Sequence, residues 1–259
     1  MLSPSAYTPD RSLPAKLKRR LTQWRAAVPM KQDPDRAIVV FSFDDFPKSA
    51  ADTGAEILDE VGAKGGFYAC TGMAGTSNYT GEQFDERDLA ALTAGGHEIG
   101  AHTQSHIDCS VTPEAEVITD IEANLTQLTS MGLSQSVTQF AWPFGETRYS
   151  LKPRLAPMFS AVRGVLPGHN RKGSDLMQLR AFELEPDDWT TDRAAAAIEA
   201  AALKPSLVCI FTHDVSNTPS RCGTTPAALR KLVRLARDSG ALIATPSAAL
   251  THIQATVPS

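Results

Sequence analysis

Two neighbouring carboxylates, Asp44 and Asp45, follow the apolar, β-branched run Ala37-Ile38-Val39-Val40 and precede Pro47, so they fall where a buried strand surfaces. Adjacent side chains on a strand point to opposite sides. A turn at the strand end can bring both into one pocket, where like charges repel and the two cannot play the same role. One can bind a cation while the other stays available as a base. Further on, His102-Thr103-Gln104-Ser105-His106 places two imidazoles four residues apart. On a helical turn both rings share a face and can reach one ion. Two histidines and one carboxylate leave a metal with open positions, the pattern of a catalytic rather than a structural site. His213 ends the apolar run Leu207–Phe211 and adds a group that titrates near neutrality. Alone, an Asp-Asp pair reads as a turn and an HxxxH as a surface coincidence; together, each at a strand end, they point to a catalytic metal centre.

The elements that must hold these residues alternate. Ala50–Val61 reads as a helix closed by Gly62, Gly66–Cys70 as a strand, and Phe84–Leu92 as a helix ended by Gly95-Gly96. His97–Ala101 is a strand leading into His102. Residues 112–131 are helical, with Glu114, Glu116, Asp120 and Glu122 solvated and Val117, Ile121, Leu125 and Leu128 facing inward. Strands are expected over Val137–Trp142, Met158–Val165, Ala181–Leu184, Leu207–Phe211 and Ala241–Ala244, with helices over Thr191–Leu203 and Thr225–Ser239. Such alternation implies parallel pairing with right-handed crossovers. The expected fold is one α/β domain over residues 37–255, a distorted (β/α)7-type barrel. Chemistry in such barrels collects at the carboxyl ends of the strands, where the Asp pair, His102 and His213 are all expected.

The chain has 259 residues, 42% hydrophobic and 21% charged, which suits one large soluble globular domain. A net charge of −4 argues against a nucleic-acid partner. Cys70, Cys109, Cys209 and Cys222 are widely spaced with no CxxC pair, and read as free thiols of a reducing compartment. No membrane-spanning run and no signal-peptide pattern is seen, which gives a cytoplasmic expectation. Residues 1–36 form a basic extension in which Leu13, Leu17, Leu21, Trp24 and Val28 recur at helical spacing. This amphipathic helix is expected to dock on its own domain, with peripheral contact to an anionic inner-membrane surface as the alternative.

Three further segments end strands: Phe140-Ala141-Trp142-Pro143-Phe144-Gly145, Glu185-Pro186-Asp187-Asp188-Trp189, and Phe211-Thr212-His213-Asp214. With Ser42-Phe43-Asp44-Asp45 and His102–His106, preceded by Gly96-His97-Glu98-Ile99-Gly100, they make five ordered segments. Over about residues 37–250 this array resembles the polysaccharide deacetylase family, carbohydrate esterase family 4 or the NodB-homology domain. The resemblance implies that Asp45, His102 and His106 bind a divalent metal, zinc in the first instance with cobalt or nickel as alternatives. It further implies Asp44 as general base, His213 as general acid and the Phe144 backbone N–H as oxyanion donor. Trp189, Phe211 and Pro143 would wall an acetyl pocket. The implied reaction is hydrolysis of acetyl groups on N-acetylated, or O-acetylated, sugars of a polysaccharide or its precursor. His97 and His252 read as structural or surface residues, and His169 as a loop residue within reach of substrate.

Two positions depart from the family pattern. An arginine often stands two residues before the proline of the third segment, paired with the base carboxylate; here that position is Ala141. In the fourth segment an aspartate often polarises the acid histidine; here Glu185 holds its place, with Asp187 or Asp188 as substitutes. The alternatives are an allantoinase-like or deformylase-like hydrolase of small amides or imides, and a catalytically silent glycan-binding homologue.

Overall fold

The structure, a computed structural model, describes Thr22 and residues 25–255. Strand β1 (Ile38–Asp44) is buried along its whole length because both of its faces are covered. Its alternate residues separate cleanly. Val39, Phe41 and Phe43 pack outward against helices, whereas Ile38 and Val40 pack inward with residues of facing strands.

In chain order β1 is followed by α1 (Ala55–Asp59), entered through a π-turn at Ala50–Gly54, then β2 (Gly66–Ala69). A two-strand hairpin, β3 (Ser77–Asn78) and β4 (Gly81–Glu82), lies inside the stretch that the sequence marks as a loop. Next come α2 (Glu86–Ala94), β5 (Glu98–Ala101), α3 (Glu114–Ser130), β6 (Gln139–Ala141), the short α4 (Lys152–Leu155), β7 (Ala161–Arg163) and β8 (Ala181–Glu183). The chain closes with α5 (Asp188–Leu203), β9 (Leu207–Thr212), α6 (Pro226–Asp238), β10 (Leu242–Ile243) and α7 (Pro246–Ala255). Three helix starts are capped by side chains: Asp85 forms a capping box with Asp88 on α2, Asp187 caps α5 and Thr225 caps α6.

Seven strands run in the spatial order β7-β6-β5-β2-β1-β9-β8, all in parallel, with β10 added to the foot of β1. The two edges approach each other through a parallel bridge from Arg163 to Leu179, on the segment leading into β8. Leu179 N–H donates to Val162 O at 2.8 Å and Gly164 N–H to Leu179 O at 2.9 Å. The sheet is therefore a nearly closed seven-stranded barrel, as the alternation of elements predicts.

Helix α7, which the sequence reading leaves unassigned, seals the foot of the barrel with Ala249, Leu250 and Ile253. Glu98 holds it there, accepting from Ser247 N–H at 2.8 Å and from the Ser247 hydroxyl. The segment Gly96–Gly100 thus does structural work. His97 Nδ1 accepts from Gly65 N–H at 3.1 Å, and a Cβ on Gly100 would lie 2.5 Å from the Tyr68 ring.

Most of the expected N-terminal helix falls outside the described residues. Residues 25–36 are irregular and docked: Val28 and Met30 pack on the domain, and Pro29 bridges antiparallel to Asp175. Beneath them the fully buried Lys152 ammonium pairs with Asp175 at 3.0 Å and donates to the Thr22 carbonyl. That carboxylate also accepts from Val28 N–H at 3.1 Å, so it ties the segment to the barrel. All four cysteines are unpaired. Among the described residues no helix is long and apolar enough to cross a membrane.

A candidate metal centre at the strand ends

The carboxyl ends of β1, β5 and β9 converge, and with them the residues singled out by type and spacing. Asp45 Oδ1 lies 3.7 Å from His102 Nε2 and 3.5 Å from His106 Nε2. The three candidate ligand atoms fall within 4.8 Å of one another. The helical turn expected for His102–His106 does not form. His102 directly follows β5, while His106 sits in an irregular loop with φ of 51°, and the two rings meet edge to face at 5.0 Å. Loop curvature, rather than a shared helix face, brings both nitrogens to one point.

Backbone strain is concentrated here. Among the described residues only five non-glycine residues have positive φ: Asp45, Phe46, Thr103, His106 and Phe144. Such conformations cost about 1–3 kcal/mol each and persist where the surroundings over-determine them. All five lie in the segments that carry the candidate ligands and the candidate oxyanion donor.

The cluster fits a divalent cation. His102 Nδ1–H donates to the Ala141 carbonyl at 2.8 Å, which leaves Nε2 as the nitrogen with a lone pair. Burial pushes both His102 and His106 down to about 4, so each imidazole is neutral at neutral pH, as a metal ligand must be. Asp45 Oδ1 is buried with no hydrogen-bond partner, a costly arrangement for a carboxylate that a cation would resolve. Burial, opposed by His102 and His213 and reinforced by Asp44, raises the Asp45 pKa.

Helix α3 supplies supports that the sequence reading missed. Asp120, expected to be solvated, is half-buried, and its carboxylate accepts from Gln104 N–H at 2.8 Å and Ser105 N–H at 3.0 Å. One turn on, the buried Asn124 accepts from His102 N–H at 3.3 Å and donates to Ala69 O at 2.9 Å and Thr71 Oγ1 at 2.8 Å. Their i, i+4 spacing on one face was the available signal.

Asp44 is held by an arginine from an unexpected strand. Arg163 on β7 donates to Asp44 Oδ1 while its guanidinium packs 4.6 Å from the Phe211 ring centroid and 5.2 Å from that of Tyr68. Arg163 is the register partner of Ala141, the position at which the family pattern often has an arginine. Both side chains point into the barrel, so exchanging one strand for its neighbour preserves the pairing. Burial, the largest single influence, pushes Asp44 up. The charges of Arg163, His102 and His213 and the Arg163 hydrogen bond outweigh it and hold the carboxyl below its ordinary value.

His213 lies across the cluster, close enough for its charge to act on Asp44 and Asp45. Its Nδ1–H and its backbone N–H both donate to the Cys222 carbonyl, each at 3.2 Å. No carboxylate forms an ion pair with it among the described residues. Asp187 is occupied in capping α5, and Asp188 is exposed in its first turn. Glu185 is half-buried, with its pKa raised by burial and by Glu183 and Asp187, and it feels the His213 charge without reaching ion-pair distance. A backbone carbonyl, which no sequence pattern marks, orients the imidazole instead.

Phe144 sits in the 3-10 turn after β6 with φ 58° and ψ 5°, its ring edge to face on His106 at 4.4 Å. Beside it the space for a Cβ on Gly145 is filled by Val165. Pro143 is buried, Phe211 forms part of the inner floor, and Trp189 is exposed at the rim with the Arg193 guanidinium 4.9 Å from its ring centroid. His169 is remote from the centre: its Nδ1 is bonded to Ser206 Oγ at 2.8 Å, before the start of β9.

The polysaccharide deacetylase family model matches residues 31–156, which include Asp44, Asp45, His102 and His106. Among solved structures, the peptidoglycan deacetylase of Bacillus subtilis is similar at 16% identity and a TM-score of 0.55, covering 86% of this chain and 94% of its own. The chitin deacetylase of the fungal pathogen Colletotrichum lindemuthianum matches at 15% identity and a TM-score of 0.61, covering 85% and 90%. A family 4 pseudoenzyme from Bacillus anthracis matches at 13% identity and a TM-score of 0.55, covering 87% and 70%. At these identities the likeness is one of fold. No curated protein matches the chain.

Proposed function

We propose that this chain, whose residues 31–156 match the polysaccharide deacetylase family, is a member of that family and a metal-dependent hydrolase removing acetyl groups from an N-acetylated sugar. The observation that carries this reading is the pairing of two carboxylates with opposite roles. Asp45 stands unsatisfied between two neutral imidazoles, while its neighbour Asp44 is held anionic by Arg163. Asp45, His102 and His106 would hold a divalent metal, zinc in the first instance, whose Lewis acidity polarises the acetyl carbonyl and acidifies water.

The chain's own groups supply the proton traffic. Asp44 accepts a proton from the water that attacks the carbonyl carbon, and its depressed pKa keeps it available as a base in neutral solution. Cleaving the C–N bond expels an amine, a poor leaving group unless protonated, and His213 donates that proton. The Cys222 carbonyl fixes its Nδ1–H, which leaves Nε2 to face the substrate. The Phe144 N–H serves as oxyanion donor, a contribution worth roughly 10²–10³ in rate. Acetate and the free amine of the sugar are the products.

Acetate release from N-acetylglucosamine oligomers, O-acetylated xylan and a panel of small amides tests the proposal. Asp44→Asn is expected to keep its metal and lose activity by about 10²–10⁴, whereas Asp45→Ala loses the metal as well. Undiminished turnover in both variants would overturn it, and turnover of small amides alone would replace the sugar as substrate.

A further inference from the structure

Five large apolar side chains are exposed among the described residues, and three of them are aromatic: Tyr79 at 56%, Phe144 at 36% and Trp189 at 65%. All three lie in the segments that follow the carboxyl ends of barrel strands, Tyr79 in a hairpin, Phe144 in a 3-10 turn and Trp189 in the first turn of α5. Exposed aromatics confined to one mouth mark a ligand surface. Phe144 and Trp189 belong to the segments that follow β6 and β8; Tyr79 stands apart from them, after β2.

Tyr79 lies at the turn of the β3–β4 hairpin, between Asn78 and Gly81. Its hydroxyl lies near enough to the Cys222 thiol for each to act on the other's titration, and the Cys222 carbonyl is the group that orients His213. The ring is therefore one residue removed from the candidate acid. Arg221, next in the chain to Cys222, places its guanidinium 6.0 Å from the Tyr79 ring centroid. Arg221 is exposed and makes no ion pair with a carboxylate among the described residues. Glu185 feels its charge from beyond ion-pair distance.

The loop carrying Arg221 is a built one. Asp214 accepts from Ser220 N–H at 2.8 Å and from the Ser220 hydroxyl, and its carbonyl accepts from Thr224 N–H at 2.8 Å. A Cβ on Gly223 would lie 2.3 Å from Asp214 Oδ1, so only glycine fits this closure. The cation on the opposite rim, Arg193, is by contrast neutralised by Glu183 at 3.0 Å. Arg221, on the Tyr79 side, has no such partner within ion-pair distance among the described residues.

We propose that Tyr79 and Arg221 form a subsite beside the metal centre for the sugar unit adjoining the acetylated one, Tyr79 stacking on its ring and Arg221 pairing with a carboxylate or phosphate substituent. The apolar C–H face of a pyranose suits an amphipathic ring, and the planar guanidinium fork suits both anions. The identity of the acetylated unit rests on the proposed function; the subsite itself is a matter of binding and needs no turnover.

The test is calorimetric binding to the zinc-loaded Asp44→Asn protein of three tetrasaccharides. One is neutral N-acetylglucosamine, one alternates N-acetylglucosamine with glucuronic acid, and one carries 6-phosphate groups. At least one anionic ligand is expected to bind about ten-fold more tightly than the neutral one, a preference that falls with added salt. The better of the two names the anion. Arg221→Gln on the same background should abolish the preference and leave neutral binding within about two-fold, while Tyr79→Ala should weaken all three about ten-fold. Both side chains are exposed, so both variants should melt with the parent.

Absence of the preference, its survival in Arg221→Gln, or failure of all three ligands to bind at 10 mM (about the weakest affinity worth assigning to a subsite) would overturn the proposal. Acetate release by the wild-type protein separates the two readings. Preference without acetate leaves the subsite standing and the deacetylase reading fallen; acetate without preference does the reverse.

Discussion

Arg163 reaches the Asp44 carboxylate from the strand position directly opposite Ala141, across the parallel pairing of β6 and β7. The guanidinium is thus supplied by the neighbouring strand, and the vacancy at Ala141 does not leave the base candidate without a counter-ion. Removing it should have a directional effect on pH dependence. Asp44 must be ionised to act as base, and Arg163 lowers its pKa, so Arg163→Ala should raise that pKa and move the acid limb of kcat/KM to higher pH. It also strands a buried carboxylate, at a cost of about 3–5 kcal/mol. The double variant Arg163→Ala/Ala141→Arg should recover stability and much of the activity. A pH–rate profile unchanged in Arg163→Ala, or a double variant no better than the single, would remove the pairing from the mechanism.

The supports on α3 should govern metal affinity. Asn124→Ala frees the His102 backbone N–H and two further groups, and Asp120→Ala releases the Gln104–Ser105 turn. Each is expected to weaken zinc binding by about 10–100-fold in competition with a chromophoric chelator. Glu122→Ala, on the same helix and exposed, is the control and should bind as the parent does.

The metal-free protein should lose stability on mild acidification. His102 and His106 titrate at about 4 when folded against 6.5 when unfolded. Between those values the unfolded chain binds more protons, so stability falls as pH drops from about 6.5 to about 4. Each displaced imidazole contributes on the order of 3 kcal/mol. Asp45, displaced upward, opposes the trend with one group against two. Urea midpoints of the chelated protein between pH 4 and 7 measure the slope. A flat profile would mean that the imidazoles are not buried as neutral groups.

The loop that orients His213 offers a structural handle on the acid. Gly223→Ala would drive a methyl group into the Asp214 carboxylate and displace the Cys222 carbonyl. Turnover should fall by roughly ten-fold or more while zinc stoichiometry stays at that of the parent, because the displaced loop touches His213 and not the three candidate metal ligands. Loss of metal in this variant would contradict the separation of the two halves of the site.

Much of the architecture follows from the sequence alone. Apolar runs of strand length alternating with helical patterns imply a parallel barrel. Asp44, Asp45, His102 and His213 each stand where such a run ends, so their gathering at one mouth is a consequence of topology. Periodicity is local, and these inferences need only local information. The sequence does not show that His106 reaches the cluster through a strained loop instead of a helical turn. Nor does it show that Arg163, rather than position 141, answers Asp44, or that a backbone carbonyl orients His213. Those relationships depend on strand register and loop closure between residues far apart in the chain, and a carbonyl has no signature in residue type. Tertiary structure decided them because a barrel interior fixes which side chains face one another, and a buried charge must find its partner among those.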